Sequence, residues 1–372
     1  MKQLHIVCLD VPYPPDYGGA GEMFHKIRAL HAEGVLIHLH VFEYGRGVQP
    51  VLESLCASVH YYSRMEGHKG LSMKLPYIVT SRANPELLER LSMDRHPILF
   101  EGVHTTFHLH SGALKGRKCF VRLHNLEHEY YSMLARNTRS PLKAFYYLFE
   151  SRLLKKYEAE LDGKAVLLTL TDRERQAFSA CCPNTDIRCL PPFTGIDQTD
   201  IESGVGNFCL YHGNLSVPEN ERAAAWLLRN VFRRLKIPLV IAGRKPSPYL
   251  VRLAHRWPHT CIVANPSEKE LNDLIRKAQV HVLPSLSGTG IKFKLLNAAF
   301  KGRHIVCNER MVQGTGLEPA CHIAGSAEAF GSIVMQLFRK PFDEDEVMLR
   351  EHLRKTLMDP QVQARQLISW IW

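Results

Sequence analysis

Short apolar runs alternate with amphipathic stretches along the whole chain. In the first half, LHIVCL (4–9), LIHLHVF (36–42), PILF (97–100), CFVRL (119–123) and AVLLTL (165–170) have the length and apolar character of buried strands. AGEMFHKIRALHAEG (20–34), PELLERLSM (85–93) and a long segment from about His128 to Leu161 carry a helical pattern. Strand–helix–strand alternation predicts a parallel sheet covered by helices on both faces. The pattern breaks at 191–206, PPFTGIDQTDIESGVG, where Pro, Gly, Asp and Thr concentrate as they do in a domain linker. A second alternating set follows. It comprises NFCLYHG (207–213), a helix from Pro218, PLVIAG (238–243), CIVA (261–264), a helix from Ser267, VHVLP (280–284), a helix from about Ile291 and HIVC (304–307). The predicted fold class is α/β, with two Rossmann-like doubly wound domains facing across a cleft. The first spans 1–192 and the second 207–354, and a terminal helix over 355–372 docks back on the first. Trp370, Ile371 and Trp372 are the expected apolar anchor of that helix, with a bilayer-interface contact as the competing use of the tryptophans.

Composition narrows the class. The chain has 372 residues, 45% of them hydrophobic, and no uncharged apolar stretch of about 18 or more. Its start, MKQLHIVCLDVPYPP, reads as a first strand and not as a signal peptide. Ten cysteines occur without any C-x-x-C spacing, which suits small buried hydrophobes in a reducing cytoplasm. The formal charge of +10 favours anionic partners, namely nucleic acid, an anionic bilayer or phosphate-bearing substrates. Basic residues are scattered and no nucleic-acid module is present, so nucleic acid is not an expected partner.

The densest chemistry lies in VLPSLSGTGIKFKLLNAAFKG (282–302). A strand ends at Pro284, a Ser/Gly loop follows, and a helix begins near Ile291. Gly288 and Gly290 allow close backbone approach to a ligand, and the new helix points N–H groups at it. Lys292 places a cation in the first turn, where the helix dipole disfavours it unless an anion sits alongside. The plain alternative is a strand-to-helix turn with Lys292 and Lys294 as solvated charges. PLVIAGRKPSP (238–248) repeats the arrangement with Arg244 and Lys245 after a strand. LYHGNLSVPEN (210–220) does so with Gly213 and Asn214.

In the first half, DVPYPPDYGGAGE (10–22) sets Gly18, Gly19 and Gly21 between the first strand and the first helix. It is neither G-x-G-x-x-G nor a P-loop. CFVRLHNLEHEYYSML (119–134) brings Arg122, His124, Asn125 and Glu127 to the end of another strand, with His124 as a candidate base or hydrogen-bond donor. A packed histidine beside an Asn125 helix cap weighs equally. Twenty histidines raise the question of a metal. His38 and His40 share a strand face, but no H-E-x-x-H and no cysteine pair completes a zinc set, so neither metal nor cofactor is expected.

Taken in order, DYGGAGE (16–22), ILFEGVHTT (98–106), VRLHNLEHEYY (121–131), YHGNLSVPEN (211–220) and residues 265–302 resemble glycosyltransferase family 4. This is a GT-B family, and the likeness is to its bacterial members of the RxHNxExxYY type. The resemblance covers nearly the whole chain. It implies a retaining, metal-independent transfer from a nucleotide-diphosphate sugar to a hydroxyl of a glycan or lipid-linked acceptor, in synthesis of a surface polysaccharide or glycoconjugate. It also implies that Gly288, Thr289, Gly290, Ile291 and Lys292 lie at the donor phosphates with Arg244 as a further cation. Gly18 and Gly19 close over the phosphates from the other domain, and His124 sits by the transferred sugar. One departure stands out: the family's two glutamates, eight residues apart, are here Thr289 and Asn297. Asn297 still hydrogen-bonds, but as a neutral group. A nucleotide-sugar epimerase of the same fold and a non-catalytic nucleotide-sugar-binding subunit are the alternatives. RNTRSPLKAFYYLFESRLLKKYEAE (136–160) is basic and aromatic. It suits either weak contact with the inner face of the plasma membrane or an ordinary helix with one core face.

Overall fold

The computed structural model of the chain describes residues 1–15, 18–43, 45–138, 140–286 and 292–372. It divides into two units, each built on a parallel sheet. The first comprises Met1–Gly195 together with Met358–Trp372, and the second comprises 196–286 with Lys292–Leu357.

The first sheet has seven strands: β1 (Gln3–Cys8), β2 (Leu36–Glu43), β3 (Ser58–Ser63), β4 (Ile98–Glu101), β5 (Cys119–Arg122), β6 (Val166–Thr169) and β7 (Ile187–Cys189). Their order is β3-β2-β1-β4-β5-β6-β7 and all pairings are parallel. The second sheet has six: β8 (Cys209–Asn214), β9 (Leu239–Arg244), β10 (Thr260–Ala264), β11 (Val280–Leu283), β12 (His304–Cys307) and β13 (His322–Ile323). It runs β10-β9-β8-β11-β12-β13, again parallel. Both orders reverse direction beside the first strand of the unit, the doubly wound arrangement in which ligands bind beyond the carboxyl ends of the strands.

Central strands read as continuous apolar runs because helices cover both of their faces. β1, β4, β5 and β11 are almost wholly buried. β3, β7 and β13 have no such run; they lie at sheet edges and are mostly half-exposed, which is why hydrophobicity alone does not reveal them. The single helix expected from His128 to Leu161 is two, Glu127–Asn137 and Pro141–Ala159. Pro141 lacks the N–H that would continue the first helix, and Ser140 caps the second by accepting the Lys143 N–H. At the chain end, the Pro360–Ile371 helix packs on the Gly18–Ala32 helix within the first unit. Ile371 is buried and Trp370 packs against the core, whereas Trp372 is exposed with the Lys2 ammonium over its ring.

Polar side chains cross the first sheet beneath its apolar layer. His5 Nε2 is 2.9 Å from Asp94 Oδ2, His5 Nδ1 is 2.9 Å from His40 Nε2, and His40 Nδ1 is 2.8 Å from the Tyr62 hydroxyl. Among the described residues this row is not a convergent metal set. Burial pushes His5 down to about 4, against the pull of Asp94, and His40 down to about 2, with further lowering from the neighbouring His5, His60 and His38. Unfolded, both rings protonate near 6.5. Their contribution to folding is therefore whole above about pH 6.5 and is lost as pH falls, by up to about 1.4 kcal/mol per pH unit for each ring. Urea unfolding at pH 7, 6 and 5 should show falling stability, with a shallower fall in His40→Gln. An identical slope in that variant would remove His40 from the account.

Candidate active site

In the first unit, the Gly-Gly segment opens directly into a helix. Gly18 and Gly19 are its first two residues, both half-buried. One turn on, Glu22 and Lys26 face the sheet from successive turns. Glu101 ends β4 and Arg122 ends β5, so four charges meet beyond the carboxyl ends of the strands. Lys26 Nζ lies 2.8 Å from Glu22 Oε2 and 2.7 Å from Glu101 Oε1. Arg122 reaches Glu22 Oε1 with Nε at 3.0 Å and Nη2 at 2.9 Å, and donates its remaining N–H groups to the carbonyls of Thr169, Leu190 and Pro191. All four side chains are buried. Burial works against the Glu22 carboxylate, but Lys26, Arg122 and His124 overcome it and hold it down at about 2.

His124 completes the group. Its Nε2 is 3.0 Å from Glu101 Oε2. Glu101 is ion-paired with Lys26 and accepts here, so Nε2 carries a proton, and in the neutral ring Nδ1 is the acceptor. With an 11% exposed side chain, His124 is the one member of the cluster that meets solvent appreciably. A ring oriented by a buried carboxylate is the arrangement of a general base or of a fixed hydrogen-bond acceptor. Glu22, Glu101 and His124 also bring three ligand atoms within 4.8 Å of one another. A lysine ammonium already bridges the two carboxylates, so the donor set does not suit a metal ion. Below the turn, burial and the neighbouring Glu158 push Glu127 up to about 8, which keeps it a neutral acid at pH 7.

A pocket of about 870 Å³ lies beyond β2 and β3 in the same unit, lined by Glu43, Ser63, Arg64, Lys69, Ser81 and Asn84 among others. Arg64 is fixed there by Ser81 Oγ at 3.3 Å and by the Tyr77 ring beneath it.

In the second unit the predicted rim forms at the carboxyl ends of β8, β9 and β11. Gly213 and Asn214 close β8, and Arg244 closes β9. Gly213 pairs with Gly243. A Cβ on Gly243 would stand 1.9 Å from the Gly213 carbonyl oxygen, so only glycine allows the two strand ends to approach so closely. Asn214 is turned to its own loop, accepting from the Ser216 N–H and hydroxyl. Arg244 is exposed. β11 leads to Ser285, which is held at both backbone groups by the Asn308 side chain and donates its hydroxyl to Glu219 Oε1 at 3.0 Å. Gly288, Thr289, Gly290 and Ile291 lie outside the described residues. The helix beyond them is Phe293–Lys301, two residues later than expected, with Lys292 as its half-buried N-cap. Asn297 is half-buried on that helix.

The structure thus gathers His124 with Arg122, and separately Lys292 with the rim formed by Gly213, Asn214 and Arg244. It adds residues that the sequence did not single out. Glu22 and Glu101 stand inside DYGGAGE and ILFEGVHTT, and Lys26 lies one helical turn beyond Glu22. Lys294, a solvated charge only in the plain alternative, is half-buried against Tyr211 and Asn220. Position at a strand's carboxyl end is the signal that marks Glu101, and i, i+4 spacing after a glycine turn the one that marks Lys26. Lys26→Met keeps the length of the side chain but strips Glu22 and Glu101 of their shared cation. Urea unfolding should show a loss of about 3 kcal/mol or more at pH 7, because two carboxylates are left buried. A change under about 1 kcal/mol would contradict the network's role.

Residues 206–339 match the family Glycosyl transferases group 1. A protein of Klebsiella pneumoniae described as an uncharacterized 44.6 kDa protein in the cps region is 25% identical over 338 residues, 85% of each chain. Among solved structures, Anabaena HepE in complex with UDP and glucose has a TM-score of 0.68 at 11% identity, covering 100% of this chain and 99% of its own. TarM has a TM-score of 0.67 at 11% identity, covering 100% and 98%. The trehalose 6-phosphate synthase of Burkholderia multivorans has 0.66 at 13%, covering 100% and 96%. These structures share the two-sheet architecture along the full length. Residues 206–339 carry the likeness to group 1 glycosyl transferases, and the chain is a glycosyltransferase of the GT-B fold.

Proposed function

We propose that the enzyme moves a sugar from a nucleotide-diphosphate sugar to a hydroxyl of a glycan or lipid-linked acceptor, with retention at the anomeric carbon and without a metal, in polysaccharide or glycoconjugate synthesis. The observation that carries the donor half is the cationic helix start at the carboxyl rim of the second sheet, inside the matched domain: Lys292, then Lys294 in the first turn. The UDP and glucose in HepE and the cps-region setting of the Klebsiella relative support the donor class and the polysaccharide role. Retention follows the likeness to family 4.

In this reading the bond between the anomeric carbon and the diphosphate breaks while the acceptor oxygen bonds to that carbon, and the acceptor's proton passes to the departing phosphate. Negative charge grows on the diphosphate as the bond breaks. Lys292 and Arg244 stabilise it more in the transition state than in the ground state. No protein nucleophile is needed. On the first unit, His124 Nδ1 accepts a hydrogen bond from a sugar hydroxyl, its ring held by Glu101. The pocket around Arg64 and Ser81 offers hydrogen-bonding side chains to a hydroxyl-rich acceptor. Melting the protein with UDP, GDP, ADP and CMP tests the donor class, since a ligand of the folded state raises the midpoint. One nucleoside diphosphate should stabilise the protein, and Lys292→Ala should lower turnover about 100-fold with the fold intact. Undiminished turnover would exclude Lys292 from the phosphate site.

The Pro141–Ala159 helix favours a peripheral place on the cytoplasmic face of a membrane. No helix among the described residues is long and apolar enough to cross one. Yet Leu142, Phe145 and Leu148 are 83%, 74% and 48% exposed on this helix, and Lys143, Arg152, Lys155 and Lys156 are exposed beside them. Apolar side chains flanked by cations fit an anionic bilayer surface. Sedimentation with anionic vesicles should pull the protein down, and Phe145→Glu should leave it in the supernatant. Equal recovery with and without anionic lipid would sink the idea.

A further inference from the structure

Lys294 is an unfavourable place for a lone cation. It lies in the first turn of the Phe293–Lys301 helix, where the exposed N–H groups disfavour positive charge. Lys292 stands two residues ahead, and the two like charges act on each other. Its ammonium lies 2.6 Å from Asn220 Oδ1, 3.2 Å from the Tyr211 hydroxyl and 5.0 Å over the centre of the Tyr211 ring. None of these partners carries a charge. Glu219 is near enough for its charge to be felt, and it accepts the Ser285 hydroxyl. The side chain is therefore aimed and held by neutral hydrogen-bond partners.

We propose that Lys294, oriented by Asn220 and Tyr211, binds a phosphate oxygen of the donor's diphosphate. This rests on the donor reading given above and adds to it the group that fixes the diphosphate from within the unit. An amide oxygen and a phenol are suited to the task, because a carboxylate in their place would neutralise the cation and repel the ligand.

The placement has a consequence for protons. Withdrawal from water brings the Lys294 ammonium down to about 8, reinforced by Lys292 and opposed by Glu219. The ionisable groups around it are Glu219 on the Pro218–Trp226 helix, Tyr211 and His212 on β8, and Lys292. Burial keeps His212 neutral and Tyr211 protonated in this range, whereas it brings Lys294 down into it. A bound diphosphate raises its proton affinity, so binding above pH 8 draws a proton onto the amine.

The experiment is titration calorimetry of the full chain at pH 8.5 in two buffers of unequal ionisation heat. The probes are UDP, GDP and ADP and their parent nucleosides. The wild type should take up a fraction of a proton with the diphosphate and none with the nucleoside. Lys294→Gln should bind the diphosphate at least about tenfold more weakly, keep its nucleoside affinity and show no uptake. Asn220→Asp supplies Lys294 with its own carboxylate, and should also lose diphosphate affinity and proton uptake while its thermal midpoint holds. Diphosphate affinity within about twofold of wild type in both variants, or uptake persisting in Lys294→Gln, would overturn the assignment while leaving the donor class standing. A wild-type chain that binds no nucleoside diphosphate would remove both.

Discussion

Four charged side chains with almost no access to water meet at the carboxyl end of the first sheet, and the geometry of that unit's rim depends on them. Glu22 and Lys26 come from the helix after β1, Glu101 from β4 and Arg122 from β5. Two carboxylates and two cations leave the cluster neutral without His124. Each charge would cost several kcal/mol if buried alone, so displacing one element strands the others. Arg122 extends the constraint, donating to the Thr169 carbonyl at the end of β6 and to the Leu190 and Pro191 carbonyls after β7, and so fixing the segment by which the chain leaves the unit. Apolar side chains of similar volume would pack this space as well or better. What they would not do is hold His124 with its proton on a chosen nitrogen.

The two rims are charged in opposite styles. On the first unit the charges of Glu22, Lys26, Glu101 and Arg122 are paired with one another, and the product is one oriented imidazole at the edge. On the second unit Lys292 and Lys294 start a helix together, and the acid beside them, Glu219, is turned to Ser285. A closed network suits fixed geometry, whereas two cations at a helix start suit an incoming anion. The neutral residue Asn297, where the resembled family has a glutamate, falls on the second unit's side of this division.

Much of the architecture was legible along the chain. The strands of both sheet centres are continuous apolar runs because helices cover both their faces, and the glycine-rich or basic residues at their ends mark the rims. Edge strands such as SVHYYS (58–63) escaped because half-exposure leaves them no apolar run. The break between the helices at 127–137 and 141–159 was written in Ser140–Pro141, but the apolar pattern runs through it and hides it.

The sequence by itself determined the α/β alternation, the break near 191–206, and the rim residues His124, Arg244 and Lys292. These follow from periodicity and turn chemistry, which act over a few residues. Tertiary structure alone decided which charges are partners. Lys26 meets Glu101 across 75 residues, Arg122 meets Glu22 across 100, and Lys294 meets Asn220 across 74. Local spacing sets these lysines and glutamates at strand ends and on helix turns, but it does not say which side chains they meet. That depends on which strand ends the parallel sheet brings together, and it is fixed only when the strands have found their order.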